Sequence, residues 1–392
     1  MLMSMGFSSV AKECGAASQP LHERYKDEFP VTKRLTYLNH AAVAPLCRPA
    51  AEAMKRLADD ALHYGSLHYD QWMAAYQGLR TAAARLINAS PGEIAIVKNT
   101  SEGIATVALG LDWKPGDRVV VFQEEFPANY FPWLRLENRG LRITRLSLYD
   151  PLDRIAEAIR GARLLAISYV NYLSGYRVDL DALGRLCRER DCFFFVDAIQ
   201  GMGAFPIDVE RSHIDALSAD GHKWMLGPEG NGVLYVRKDR LDQIEPVEFG
   251  WTNAAGYADY SSRDMAPRPD AGRYECGTLN TIGCFGQRAA IEFLLETGID
   301  RITRAVEHLA ERIEHGVRAR GYDVLAERAP QTGSGIVSFR HPQVDAREIV
   351  AKLGEARITA APRQGWIRTS PHFYIDPAEI DRMLDVLPRV FK

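Results

Sequence analysis

The most regular feature of this chain is a series of short apolar runs separated by longer segments with helical spacing. The runs are residues 93–98 (EIAIVK), 118–123 (RVVVFQ), 164–170 (LLAISYV), 192–197 (CFFFVD), 216–220 (ALSAD) and 232–236 (GVLYV). Several are apolar at consecutive rather than alternate positions, the pattern of strands buried on both faces of a sheet. Between them, residues 152–160 and 180–190 have helix-compatible spacing. The alternation predicts an α/β domain of three layers, with helices over both faces of a mostly parallel sheet.

After about residue 280 the pattern changes. Two long helical stretches, 284–296 and 299–320, are followed by a strand-like GIVSFR at 335–340. A helix over 346–353 comes next, then a terminal helix entered through Asp376-Pro377-Ala378-Glu379, whose acid and glutamate suit a helix N-terminus. This predicts a smaller α+β domain. The expected division is an N-terminal arm (1–34) packing on the small domain, a large domain (35–279) and a small C-terminal domain (280–392). At 392 residues, one large and one smaller unit is the natural partition.

Composition narrows the function classes. With 48 basic against 51 acidic side chains, the net charge of -3 gives no reason to expect a nucleic-acid or membrane partner. Six scattered cysteines (14, 47, 187, 192, 276 and 284) form no CxxC pair and suggest neither a zinc site nor a disulfide framework. They read as reduced thiols of a cytoplasmic protein. The first twenty residues lack the basic start and dense apolar core of a secretion signal.

Six stretches carry candidate chemistry. Asp220-Gly221-His222-Lys223-Trp224-Met225-Leu226-Gly227-Pro228 lies between two predicted strands, so Lys223 sits in a tight, apolar, glycine-flanked turn. A lysine that forms imines must be deprotonated, rigidly held and shielded from water, which such a turn provides; a lysine snorkelling over apolar surface is the ordinary alternative. Asp197 ends the run CFFFVD, at the strand end where open α/β sheets bind ligands, with Gln200 close behind. An acid there can hold a pyridine nitrogen protonated, as pyridoxal-phosphate (PLP) chemistry requires, or simply start a loop. Asn99-Thr100-Ser101-Glu102 opens a helix after the strand EIAIV, a ready phosphate site or an ordinary cap. Phe126, in Glu125-Phe126-Pro127-Ala128-Asn129, can stack on a flat ring or fill core. Glu275-Cys276-Gly277-Thr278 is a small-residue turn suited to phosphate. Arg368, in Arg368-Thr369-Ser370-Pro371-His372, can clamp a carboxylate in a bidentate fork or make a surface ion pair.

Together with Tyr37-Leu38-Asn39-His40, and in this order, the stretches resemble the class V aminotransferase family of fold-type I PLP enzymes over roughly residues 35–390. The resemblance implies that Lys223 carries PLP as a Schiff base and shuttles protons. It implies that Asp197 pairs with the pyridine nitrogen, that Gln200 and Tyr172 lie near the ring oxygen, and that Phe126 stacks on the ring. Thr100, Ser101, the Glu102 backbone and His222 would surround the phosphate, Gly277 and Thr278 would reach the phosphate of a second subunit in a homodimer, and Arg368 would bind the α-carboxylate. Loops around His40 and Phe249-Gly250-Trp251 are candidates for substrate contact. Two features depart from the pattern. Asp220 stands where many relatives place a phosphate-binding serine or threonine. No cysteine follows Cys284, so the loop nucleophile of cysteine desulfurases is missing. The expected activity is an aminotransferase acting on an amino acid. An epimerase like isopenicillin N epimerase, a C–S lyase, and a non-catalytic relative serving as a binding module remain as alternatives. Gly201-Met202-Gly203 lacks the third glycine of a dinucleotide site, Gly227-Pro228-Glu229-Gly230 lacks a P-loop lysine, and His63 and His68 are poorly spaced for a metal.

Overall fold

A computed structural model describes residues 19–390; the first eighteen residues of the expected arm, Cys14 among them, lie outside the described residues. Seven strands form the main sheet in the order Ile94–Val97, Gly232–Val236, Ala216–Asp220, Phe193–Asp197, Leu164–Ser168, Arg118–Phe122 and Arg142–Leu146. Only Gly232–Val236 runs against the rest. All six anticipated strands are present. The seventh, RITRL at 142–146, is a half-exposed edge strand whose polar positions hid it from a search for apolar runs.

The consecutive apolar runs have the expected cause. Phe194, Val196, Ile96, Phe122 and Ile167 belong to one buried cluster, and Phe193, Phe195, Val97, Val121 and Ala166 to a second. Neighbours along each strand therefore face opposite cores, and both faces of the sheet are dry. Each such Val, Ile or Phe side chain contributes about 1.5–3 kcal/mol by burial. On the first face lie the helices Arg48–Tyr64, Tyr69–Ile87 and Thr281–Thr297, which pack together.

Past these, a four-stranded antiparallel sheet runs in the order Ala361–Arg363, Trp366–Thr369, Val337–Arg340 and Asp323–Val324. Gln364 and Gly365 join its first two strands with φ of 49° and 81°, the positive values of a tight two-residue hairpin turn. Of this sheet the sequence pattern showed one strand. Phe29 stacks on Tyr374 at 3.6 Å, and Tyr25 meets Phe293 edge-on at 5.3 Å. Thr36–Tyr37 pairs with Ile358–Thr359, and Asn39 bridges to Ser370, which brings residues 40–43 beside the four-stranded sheet. Among the described residues, no helix is long and apolar enough to cross a membrane.

Candidate active site

The parallel strands end along one edge of the main sheet, and the loops leaving that edge enclose a cavity of about 430 Å³. Its floor is set by register. Asp197 ends its strand between Ser168 and Ser218 on the flanking strands, so burial on both faces fixes where its carboxylate emerges. The Ile199 N–H donates to one carboxylate oxygen at 3.0 Å, leaving acceptor capacity for a group in the cavity. Burial pushes Asp197 up to about 6, opposed by that N–H and by Lys223.

Lys223 lies in the turn after Ala216–Asp220. The turn closes through Gly227 N–H to Gly221 O at 3.0 Å and Leu226 N–H to Lys223 O at 3.1 Å. Leu226 takes a φ of 58°, a left-handed conformation costly for leucine and typical of strain kept at a functional turn. Gly221 is required by packing: a Cβ there would lie 1.7 Å from the buried Gln287 side chain. The turn is thus locked against the helix Thr281–Thr297. Burial lowers the Lys223 amine to about 8; Asp197 opposes the shift and Arg368 adds to it. Lys223 Nζ stands 5.9 Å from the Phe126 ring centroid, and Tyr172 meets that ring edge-on at 5.2 Å.

A second carboxyl group sits behind this floor. Glu125 accepts from the Ser168 N–H at 2.5 Å and from the Ser168 hydroxyl, and burial pushes it up to about 8, with Asp197 adding to the shift. Burial thus favours its neutral form and leaves Asp197 the stronger acid of the two.

The opposite wall comes from the hairpin. Arg368 is buried; its Nη1 donates to Tyr172 O at 2.7 Å, while Nε has no partner. Burial and the neighbouring Arg363 lower its guanidinium to about 10. A buried cation with unused donors is suited to receive an anion.

Of the residues singled out from the sequence, the cavity gathers Lys223, Asp197, Thr100, Ser101, Phe126, Tyr172, Gln200, His222 and Arg368. It does not gather His40, Glu102, Gly277 or Thr278. His40 is fully buried: Nδ1 donates to Ser370 O at 2.8 Å, so Nε2 accepts from the Tyr374 hydroxyl at 2.7 Å, and neither nitrogen is left for a substrate. Both ring nitrogens are thus bonded within the chain. The Glu102 N–H is capped by Asn99 at 2.9 Å and its carboxylate turns back to Lys98. Gly277 and Thr278 line a different pocket beside Lys98. Gln200 lines the cavity but is tied on both sides, donating to Ala41 O at 3.0 Å and accepting from Trp224 Nε1 at 2.9 Å. Thr100 accepts from the Asp220 N–H at 3.0 Å. Asp220 lines the cavity; one carboxylate oxygen lies 3.1 Å from His222 Nδ1 and the other is buried without a partner. Arg363 also lines the cavity and carried no signal in the sequence beyond its place beside a Gln-Gly turn.

These groups fit PLP: an amine of lowered basicity, a buried carboxylate with capacity to spare, an aromatic face, and a helix start carrying hydroxyls and N–H groups for a phosphate.

This donor set on a doubly covered parallel sheet defines a fold-type I PLP enzyme. The chain matches the family model described as aminotransferase class-V over residues 36–373 and belongs to that family. It is 31% identical over 395 residues to a protein of Pyrococcus abyssi named as a probable cysteine desulfurase, covering 94% of this chain and 98% of that one. Among solved structures it resembles the apo cysteine desulfurase of Thermococcus onnurineus, with a TM-score of 0.86, 28% identity, and coverage of 95% and 98% of the two chains. It also resembles the cystine C–S lyase C-DES in complex with its product cysteine persulfide, with a TM-score of 0.85, 26% identity, and coverage of 91% and 98%. A further C-DES structure, with a TM-score of 0.86 and 26% identity over 92% and 98% of the chains, carries glycine covalently linked to its PLP cofactor. The cofactor of this enzyme is PLP.

Proposed function

We propose that this enzyme is an aminotransferase for an amino acid, with Lys223 as its single base. When bound, the cofactor supplies an aldehyde that condenses with amines and a ring that accepts the electron pair left at the substrate's α-carbon. Lys223 Nζ would hold it at rest and move the α-proton once the substrate amine has taken its place. Asp197 would keep the ring nitrogen protonated, Phe126 would cover the ring, and Thr100, Ser101 and His222 would receive the phosphate. Arg368 would orient the substrate through its α-carboxylate.

The observation that carries this proposal is the inventory of the cavity walls. With Asp197 at the ring nitrogen, Asp220 against His222 and His222 beside the phosphate, Lys223 is the base left for the substrate carbon among the lining residues. One base returning a proton suits transamination; inversion needs a second donor. Among the described residues, a persulfide mechanism lacks its nucleophile. Cys47, Cys187, Cys192 and Cys284 are buried, and Cys276 is exposed at the other pocket with its thiol pushed up by burial and Glu248. The hairpin that carries Arg368 turns in two residues and holds no cysteine. Elimination of a β-substituent, as in a C–S lyase, is the second reading, and the likeness to C-DES favours it.

Assembly as a homodimer belongs to the same proposal. Gly277 and Thr278 stand away from the chain's own cavity, and Phe249, Trp251, Tyr260 and Met265 expose a broad apolar surface. The division at residues 34 and 279 is retained as a proposal for how the chain partitions.

The test is a single turnover. PLP-loaded enzyme is mixed with amino acids and no 2-oxo acid, and the visible band and products are followed together. Loss of the band with one equivalent of 2-oxo acid supports the aminotransferase. A persisting band with a β-eliminated or inverted product would establish a lyase or epimerase instead.

A further inference from the structure

Arg363 has no role in the reading above, yet it faces the same cavity. It occupies the last position before the Gln364-Gly365 turn, and register fixes its relation to Arg368. Ala361 pairs with Arg368 and Arg363 with Trp366. Side chains alternate along a strand, so these four share one face of the hairpin. Arg363 is the diagonal neighbour of Arg368, at a separation of about 7–8 Å for such pairs and somewhat less between Cβ atoms. The small side chain of Ala361 opposite Arg368 leaves the space between them open.

Among the described residues, neither arginine has a counter-charge. Among the described residues, the one polar contact of the Arg363 guanidinium is to Pro362 O at 3.0 Å, and Arg368 likewise bonds a backbone carbonyl. The acids lining the cavity are engaged: Asp197 serves the ring nitrogen and Asp220 lies against His222. Once Arg368 takes the α-carboxylate, one cation remains unmatched, on the hairpin rather than at the helix start where the phosphate would bind.

We propose that Arg363 receives a second anionic group on the substrate, so that this enzyme acts on amino acids whose side chain ends in a carboxylate or comparable anion. The assignment rests on the active-site reading above and deepens it. Arg363 is exposed and outside the core, so its replacement leaves the fold standing.

The experiment uses holoenzyme and two inert probes, glutarate and butyrate, with binding followed by calorimetry. Wild-type enzyme is expected to prefer glutarate. Arg363→Gln is expected to weaken glutarate about tenfold or more, the worth of a charged hydrogen-bonded contact, while leaving butyrate and the cofactor's visible band unchanged. Arg363→Lys should recover part of the preference. Equal binding of the two probes by wild-type enzyme would overturn the assignment, as would an Arg363→Gln variant that keeps the preference or sheds cofactor. A parallel panel of glutamate, aspartate and cystine against alanine and norvaline separates the two claims. Amino acids converted without an acidic preference sink this inference alone. A glutarate preference lost in Arg363→Gln, with no amino acid converted, upholds the anion site and sinks the aminotransferase reading.

Discussion

The two walls of the cavity handle charge in opposite ways. On the sheet wall, Asp197 and Glu125 are buried and Lys223 is partly buried close to them, and the fold answers each one: Ile199 supplies an N–H to Asp197, Ser168 bonds Glu125, and Asp197 offsets Lys223. Their acid–base strengths are drawn toward neutrality, Asp197 and Glu125 upward and Lys223 downward. On the hairpin wall, Arg363 and Arg368 face each other's charge without a carboxylate between them. The first wall is finished as protein and does chemistry; the second is finished only by a ligand. Groups that move protons need environments that bring their two protonation states close in energy, whereas groups that recognise anions need only be held and left unpaired.

If that contrast is right, substitutions on the sheet wall change the rate and those on the hairpin wall change which ligand binds. The largest effect is expected for Lys223→Ala, with turnover falling about 10³-fold or more and the attached-cofactor band lost, as seen by spectroscopy and single-turnover assay. Asp197→Asn should retain PLP but lower kcat about 10²- to 10³-fold, the usual loss on removing a preorganised charge. Arg368→Lys keeps the charge but not the fork; kcat/KM should fall roughly 10- to 100-fold, mainly through KM. A comparable fall in kcat with KM unchanged would show that the hairpin wall takes part in the chemistry and would erase the contrast.

The pH dependence gives a finer cut. The Lys223 amine titrates at about 8, against an ordinary lysine value of 10.5. At pH 7.5 roughly a quarter of it is neutral, where an ordinary lysine has about one part in a thousand. Capture of PLP by apoenzyme should therefore rise with pH and level off above 8. A rate still climbing at pH 10 would mean the site does not depress the amine. The sign for stability follows. Between pH 8 and 10.5 the unfolded chain holds a proton that the folded one has lost, so this group makes unfolding harder as pH rises through that window. The smallest effect is expected for Phe126→Leu, a loss of about 0.5–1.5 kcal/mol in cofactor binding, measured by PLP titration.

The same two walls differ in how far they could be read from sequence. The sheet wall was legible because its constraints are local. A strand buried on both faces shows as a continuous apolar run, and the residue that ends it is marked by position, as with Asp197 and the Lys223 turn. The edge strand 142–146 escaped because its polar face breaks the run. The hairpin wall depends on long-range pairing. Arg363 acquires its setting only when Ala361 pairs with Arg368 and the hairpin lies over the strand ends. The loop around His40 was a candidate for substrate contact; the burial of that side chain comes with contacts to Ser370 and Tyr374, more than three hundred residues away in sequence. Glu102 was placed correctly at a helix start, but Asn99 had already taken its N–H.

The central claim is that Lys223 holds the cofactor. PLP-loaded enzyme should be reduced with borohydride, digested, and searched by mass spectrometry for the peptide carrying the reduced cofactor. The expected result is one label on the peptide containing His222-Lys223-Trp224, absent from the Lys223→Ala variant. A label on another lysine, or none from protein that retains the visible cofactor band, would contradict it.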